Sequence, residues 1–179
     1  DVVNGVFGSM LAAMALVMPG SLRDAILELR HVPGLGLAIL VGGLLLTTAD
    51  IPDTTDDGFS DFNADGTSFS FSTNSALPGS AVQIQSGAQI NAVRADSYVA
   101  LIAPRVEQGG NVLVRGSAAY VAADSVTMSM NQGLFDIQIP IGEGTADAQG
   151  VVHTGKTLWP VDTAGNPRVY MVAVPQSQA

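Results

Sequence analysis

The 179-residue sequence contains no cysteine, which removes disulfide stapling, thiolate nucleophiles and cysteine-held metals from consideration. Cations are scarce: seven Lys and Arg stand against 16 Asp and Glu, a net charge of −9. Without a basic cluster to neutralise phosphates, nucleic acid is excluded as a partner, and Arg94, Arg105 and Arg115 read as solvated positions on successive repeats. There are two histidines. His31 follows a short amphipathic run, where a helix C-terminus is its natural partner, and His153 lies in a glycine-bounded turn with Thr154. No His pair has metal spacing, no Ser sits in a nucleophile elbow, and no Gly-rich loop leads into a helix with the Lys or acidic residue a nucleotide needs. Each apolar run falls short of the roughly 20 residues that span a bilayer. Charged residues at 13% beside apolar residues at 47% exclude a disordered acidic tail.

What the chain does contain is a repeat. Gly87-Ala88-Gln89-Ile90-Asn91-Ala92, Tyr98-Val99-Ala100-Leu101-Ile102-Ala103 and Arg105-Val106 are followed 22 to 23 residues later by Gly110-Asn111-Val112-Leu113-Val114-Arg115, Tyr120-Val121-Ala122-Ala123 and Ser125-Val126-Thr127-Met128. Each copy holds β-branched runs of three to six residues broken by Gly, Ser, Asn or Pro, too short for helices. A period in the solenoid range, in units that cannot bury an apolar face alone, predicts stacked coils with strands laid in parallel. The expected fold is all-β, a right-handed parallel β-helix with a short helical N-terminal segment. Coils are expected from residue 68 to residue 139, with corners at Pro78-Gly79, Gly109-Gly110 and Gly116. Residues 142–150 and 159–167 read as solvated excursions, and a strand over 168–174 resumes the solenoid where the chain stops, as in a fragment of something longer. Tyr98 and Tyr120 hold matching places in the two copies and are expected to pack on one another.

The same residues carry a resemblance. Ser97-Tyr98-Val99-Ala100-Leu101-Ile102-Ala103-Pro104-Arg105-Val106 with Gly109-Gly110, then Gly116-Ser117-Ala118-Ala119-Tyr120-Val121-Ala122-Ala123, then Gly133-Leu134-Phe135-Asp136-Ile137, resembles the two-partner secretion domain of filamentous-haemagglutinin-type adhesins. In that family a "GYVALIAP" coil precedes a "G-x-V-A-L-A-A" coil and a "GL-x-x-I" coil. Gly43-Leu44-Leu45-Leu46-Thr47-Thr48-Ala49-Asp50-Ile51 is similar to the family's "GLxAxTxDI". Gly150-Val151-Val152-His153-Thr154-Gly155 and Arg168-Val169-Tyr170-Met171-Val172-Ala173-Val174-Pro175 extend the match, which covers residues 42 to 175. The resemblance implies a non-enzymatic portion of a large adhesin, secreted to the bacterial cell surface. It implies recognition by an outer-membrane barrel transporter, a template role in β-helix folding, and a host-cell or carbohydrate receptor. Membrane would be met only during export, in an unfolded chain that carries no disulfide to lock it.

Residues 1–48 form an atypical N-terminal part, and residues 49–179 the secretion-domain-like region. Asn4-Gly5-Val6-Phe7-Gly8 is similar to the end of the family's "NPNGxxFG", with Val2-Val3 where Asn-Pro is usual, so the resemblance assigns transporter recognition to Asn4 and Gly5. The family's short spacing to "GLxAxT" is replaced here by residues 9–42. Within them, residues 21–30 predict a helix capped by Ser21 with Leu22, Ala25, Ile26 and Leu29 on one face and ended by Pro33-Gly34. The expectation is a helical hairpin that covers the open end of the solenoid. A membrane-associated structural protein held by this segment is the alternative.

Residues 50–67 are acidic and turn-rich. Asp61, Asn63 and Asp65, with Gly66 in the sixth place, fit the opening of a calcium loop, though Ser72 stands where the bidentate Glu belongs. The other reading is an Asx-rich loop leading into the half-buried strand Ser68-Phe69-Ser70-Phe71-Ser72. Apart from calcium no cofactor is expected. The enzymatic alternative is a β-helix polysaccharide-degrading enzyme with Asp96, Asp124 and Asp136 stacked on one face as acid, base or metal ligands.

Overall fold

A computed structural model describes residues 38–40, 43–52, 63–65, 68–95, 97–131, 134–161 and 167–178. The described residues form strands and one 3₁₀ turn, Gln176–Gln178, and the fold is all-β. In chain order the strands are Ala38–Leu40 (β1), Gly43–Thr47 (β2), Asn63–Asp65 (β3), Ser68–Ser72 (β4), Ala81–Ile84 (β5), Gln89–Ala92 (β6), Tyr98–Ala103 (β7), Arg105–Gln108 (β8), Asn111–Val114 (β9), Ser117–Ala122 (β10), Thr127–Asn131 (β11), Leu134–Gln138 (β12), Val151–His153 (β13), Lys156–Leu158 (β14) and Val169–Ala173 (β15).

They assemble into four short sheets. Three are parallel: sheet 1 is β5-β8-β13, sheet 2 is β1-β6-β9-β14 and sheet 3 is β2-β7-β10-β15. Strands β5, β6 and β7 enter sheets 1, 2 and 3 in that sequence, and so do β8 to β10 and β13 to β15. Tight turns make this rotation possible. At Leu77-Pro78-Gly79-Ser80 the Ser80 amide donates to Leu77 O at 3.0 Å, and Gly79 takes φ 74°. At Gln85-Ser86-Gly87-Ala88 the same bond measures 3.1 Å, and Gly87 takes φ 89°. Glycine adopts these positive φ values at no steric cost.

Strands β7 and β10 are buried on both faces, because sheet 3 separates two cores. Along β7, Val99, Leu101 and Ala103 face one cluster with Ile84, Ile90, Val106, Val112 and Tyr120. Ala100 and Ile102, between them, face a second cluster with Phe71, Met128, Met130 and Phe135. Two buried faces explain why both strands read as continuous apolar runs instead of alternating ones.

The second core is closed by the fourth sheet, and here the structure corrects the sequence reading. Residues 68–72, 127–131 and 134–138, expected within coils of the solenoid, join residues 63–65 in an antiparallel sheet of order β3-β4-β11-β12. Phe71 points inward at 3% exposure while Ser70 and Ser72 face out, so the expected alternation of β4 holds although its partner strands differ.

The spacing of the copies also differs from strand to strand. Gln89 pairs with Asn111, an offset of 22 as expected, but Ala81 pairs with Arg105 and Tyr98 with Ser117, offsets of 24 and 19. Tyr120 therefore pairs with Leu101, and the two tyrosines occupy opposite faces of sheet 3 rather than packing together. Residues 142–150 are not simply solvated: Gly144, Thr145 and Gly150 are buried, and Thr145 bridges to Pro175. The helix expected over residues 21–30 lies outside the described residues. Residues 38–40 and 43–47, expected within the helical hairpin, are strands that pair with β6 and β7.

Candidate functional site

The residues singled out by sequence fall in different places. Asn4 and Gly5 lie outside the described residues, as do Asp61, Gly66 and Asp96. Asn63 and Asp65 are in β3, opposite Ser70 and Ser68. Asp136 is exposed on β12 and accepts a hydrogen bond from Gln138 Nε2 at 3.3 Å. Asp124 is half-buried just beyond β10. Among the described residues no group of three or more His, Asp or Glu is gathered as a metal site requires, and no helix is long and apolar enough to cross a membrane.

The structure does gather a polar cluster inside the first core. Inward-facing rows run across the parallel sheets: Ile84, Gln108 and His153 in sheet 1; Ile90, Val112 and Thr157 in sheet 2; Leu46, Leu101 and Tyr120 in sheet 3. Each row begins with an aliphatic residue, and polar groups enter toward β13 and β14. Tyr120 Oη lies 2.6 Å from Thr157 Oγ1, which lies 2.9 Å from His153 Nε2. The rings of Tyr120 and His153 meet edge to face with centroids 5.4 Å apart. Gln108, fully buried, donates from Nε2 to Lys156 O at 3.2 Å, while its backbone carbonyl accepts from Thr154 N and Gly155 N at 2.9 Å each. Its Oε1 is buried without a hydrogen-bond partner. Burial raises the Tyr120 hydroxyl above its ordinary value, and hydrogen bonds with Thr157 and Gln108 oppose that shift.

A second polar group marks the junction between the parallel sheets and the antiparallel one. The amides of Asp124 and Ser125 both donate to Glu143 O, at 3.0 and 3.4 Å, and Ala76 N donates to Asp124 O at 2.7 Å. Ser75 Oγ donates to Glu143 Oε2 at 2.7 Å. Burial, and then the charge of Glu143, raises the Asp124 carboxyl. On the outer face of sheet 1, Arg105 pairs with Glu107 and approaches Asp147 at 3.8 Å. The amides of Gln149 and Gly150 point at Asp147 Oδ1. The bond from Gln149 dominates, helped by Gly150 and Arg105, and the Asp147 carboxyl is lowered.

Gln108 and Thr157 were missed by sequence reasoning. The available signal was Gln108 at the end of a strand whose register partner is Ile84, a polar residue in an apolar row. Comparison with protein families, with curated proteins and with solved structures finds no match for this chain.

Proposed function

We propose that the chain is a non-enzymatic part of a large bacterial adhesin of the filamentous-haemagglutinin type. In this reading it is exported by two-partner secretion, serves recognition by an outer-membrane barrel transporter, and templates the folding of a right-handed parallel β-helix. One observation carries the proposal. Four segments on which the resemblance rests, residues 43–47, 98–103, 117–122 and 169–173, are far apart in sequence yet lie side by side, in chain order, as β2, β7, β10 and β15 of sheet 3. The rotation of the chain through sheets 1, 2 and 3 is what successive coils of a β-helix produce, and parallel strands in register give each added coil a formed edge to dock against.

The test is export. The chain is produced behind a cleavable signal peptide with and without a co-expressed barrel transporter of the two-partner type, and protein in the medium is measured by immunoblot. Accumulation outside the cell that requires the transporter is the expected result, with loss when Asn4 and Gly5 are replaced by Ala. Equal amounts in the medium with and without the transporter would sink the export reading.

A further inference from the structure

We infer that Gln108, Tyr120, His153 and Thr157 form a register pin that fixes where β13 and β14 dock on the parallel sheets. The inference rests on the reading of those sheets as stacked coils and is independent of export.

Strands β13 and β14 are three residues long, and each meets its neighbour over three pairs. A one-residue slip would turn each side chain to the opposite face and is opposed by burial, but a two-residue slip leaves every side chain on its own face. Apolar contact discriminates poorly against the second kind. The outer row of sheet 2 illustrates this: Lys156 sits beside Asn111 and Leu158 beside Leu113, and moving the exposed Lys156 from the exposed Asn111 to the half-buried Leu113 buries no charge in a core.

The polar groups do discriminate. Thr157 Oγ1 reaches Tyr120 Oη and His153 Nε2 together only when Thr157 stands beside Val112. Gln108 Nε2 meets Lys156 O beside the spot where Gly155 lies against Gly110, and a residue with a Cβ cannot be slid into that spot, since the Cβ would collide with Gly110 O and Gln108 Oε1. Moving β14 by about 6.6 Å, the length of two residues, breaks its bonds to Tyr120 and Gln108 together and leaves those two buried side chains without their partners. Buried polar groups add little net stability compared with apolar groups of the same shape, and their attested use is to specify register. The unpartnered Gln108 Oε1 is consistent with that trade.

The absence of cysteine allows a direct test in the whole chain. Lys156→Cys is combined with Asn111→Cys, which reads the native register, or with Leu113→Cys, which reads a two-residue slip. Neighbouring strands about 4.8 Å apart permit a disulfide in register, whereas the slipped pair is separated by roughly 8 Å, beyond bridging distance. In the parent only the Asn111→Cys pair is expected to cross-link under mild oxidation. With Thr157→Val and Tyr120→Phe added, thermal stability should hold while the Leu113→Cys cross-link rises at least about fivefold, the factor that one lost hydrogen bond of ordinary strength permits. A folded variant that still forms only the native cross-link overturns the pin. A variant that no longer folds overturns it too, because the contacts would then carry stability rather than register.

Discussion

Thr73 and Ser125 bond reciprocally across 52 residues of sequence: Ser125 Oγ donates to Thr73 O at 2.8 Å, and Thr73 Oγ1 accepts from the next amide, Val126 N, at 3.0 Å. Both residues are buried, so these bonds join the end of β4 to the start of β11 where water does not compete. Thr73→Val keeps the shape and leaves the Val126 amide without its hydroxyl partner. The expected cost is about 1–3 kcal/mol in urea unfolding, against a change within about 0.5 kcal/mol for Ser70→Ala on the exposed face of β4.

Close approach makes glycine necessary at residue 155 and conformation favours it at residue 79. Gly155→Ala drives a methyl into Gly110 O and Gln108 Oε1, and overpacking against backbone is expected to cost about 3 kcal/mol or more. Gly79→Ala meets nothing within 4 Å and carries only the strain of φ 74°, about 1–2 kcal/mol. Thermal denaturation of the two variants should rank them in that order, and the reverse ranking would show that the backbone around residue 155 yields easily.

Leu101, fully buried between Leu46 and Tyr120, should lose about 2–5 kcal/mol as Leu101→Ala. Leu158→Ala, on an outward face at 48% exposure, should change stability by less than about 0.5 kcal/mol. Denaturant midpoints at constant slope measure both.

The two shifted carboxyls have opposite pH signatures. Asp124 is raised from 3.8 by burial and by Glu143, so its ionisation opposes folding: that loss is absent at low pH and grows as the pH rises from 3.8 through the folded value. Asp147 is lowered, chiefly by the Gln149 amide, so its contribution is complete above 3.8 and is lost as the pH falls through the folded value. Asp124→Asn should therefore raise the melting temperature at neutral pH and lose that advantage below pH 3.8. Asp147→Ala should lower it at neutral pH and converge with the parent in acid. Melting temperatures taken across that pH range check both signs.

Local patterning carried part of the fold into view. The alternation of Ser and Phe from residue 68 to residue 72 gave the correct inward face for Phe71, and the corner expected at Pro78-Gly79 is a turn in which Gly79 takes φ 74°. The pairing of Tyr98 with Tyr120 was misplaced for a physical reason. Strands buried on both faces have no polar alternation to fix register, so matching aromatics at an offset of 22 looked equivalent while the strands pair at an offset of 19. The antiparallel sheet was illegible because β4 and β11 meet only through distant contacts such as Thr73 with Ser125. The polar cluster needed four strands, β8, β10, β13 and β14, in register before its members could be recognised.

Because β7 and β10 have no wet side, an alternation of polar and apolar residues cannot police their alignment. A one-residue shift of β10 would trade Ala118 and Tyr120 for Ala119 and Val121, one oily set for another. What forbids the exchange is Tyr120: its hydroxyl bonds to Thr157 and its ring meets His153 on one side of the sheet, while Ala119 and Val121 pack with Met128 and Met130 on the other. The wall between the two cores is thus keyed by one bulky, hydrogen-bonded residue, and substitutions that even out side-chain size along residues 118–121 should blur its alignment before they weaken it.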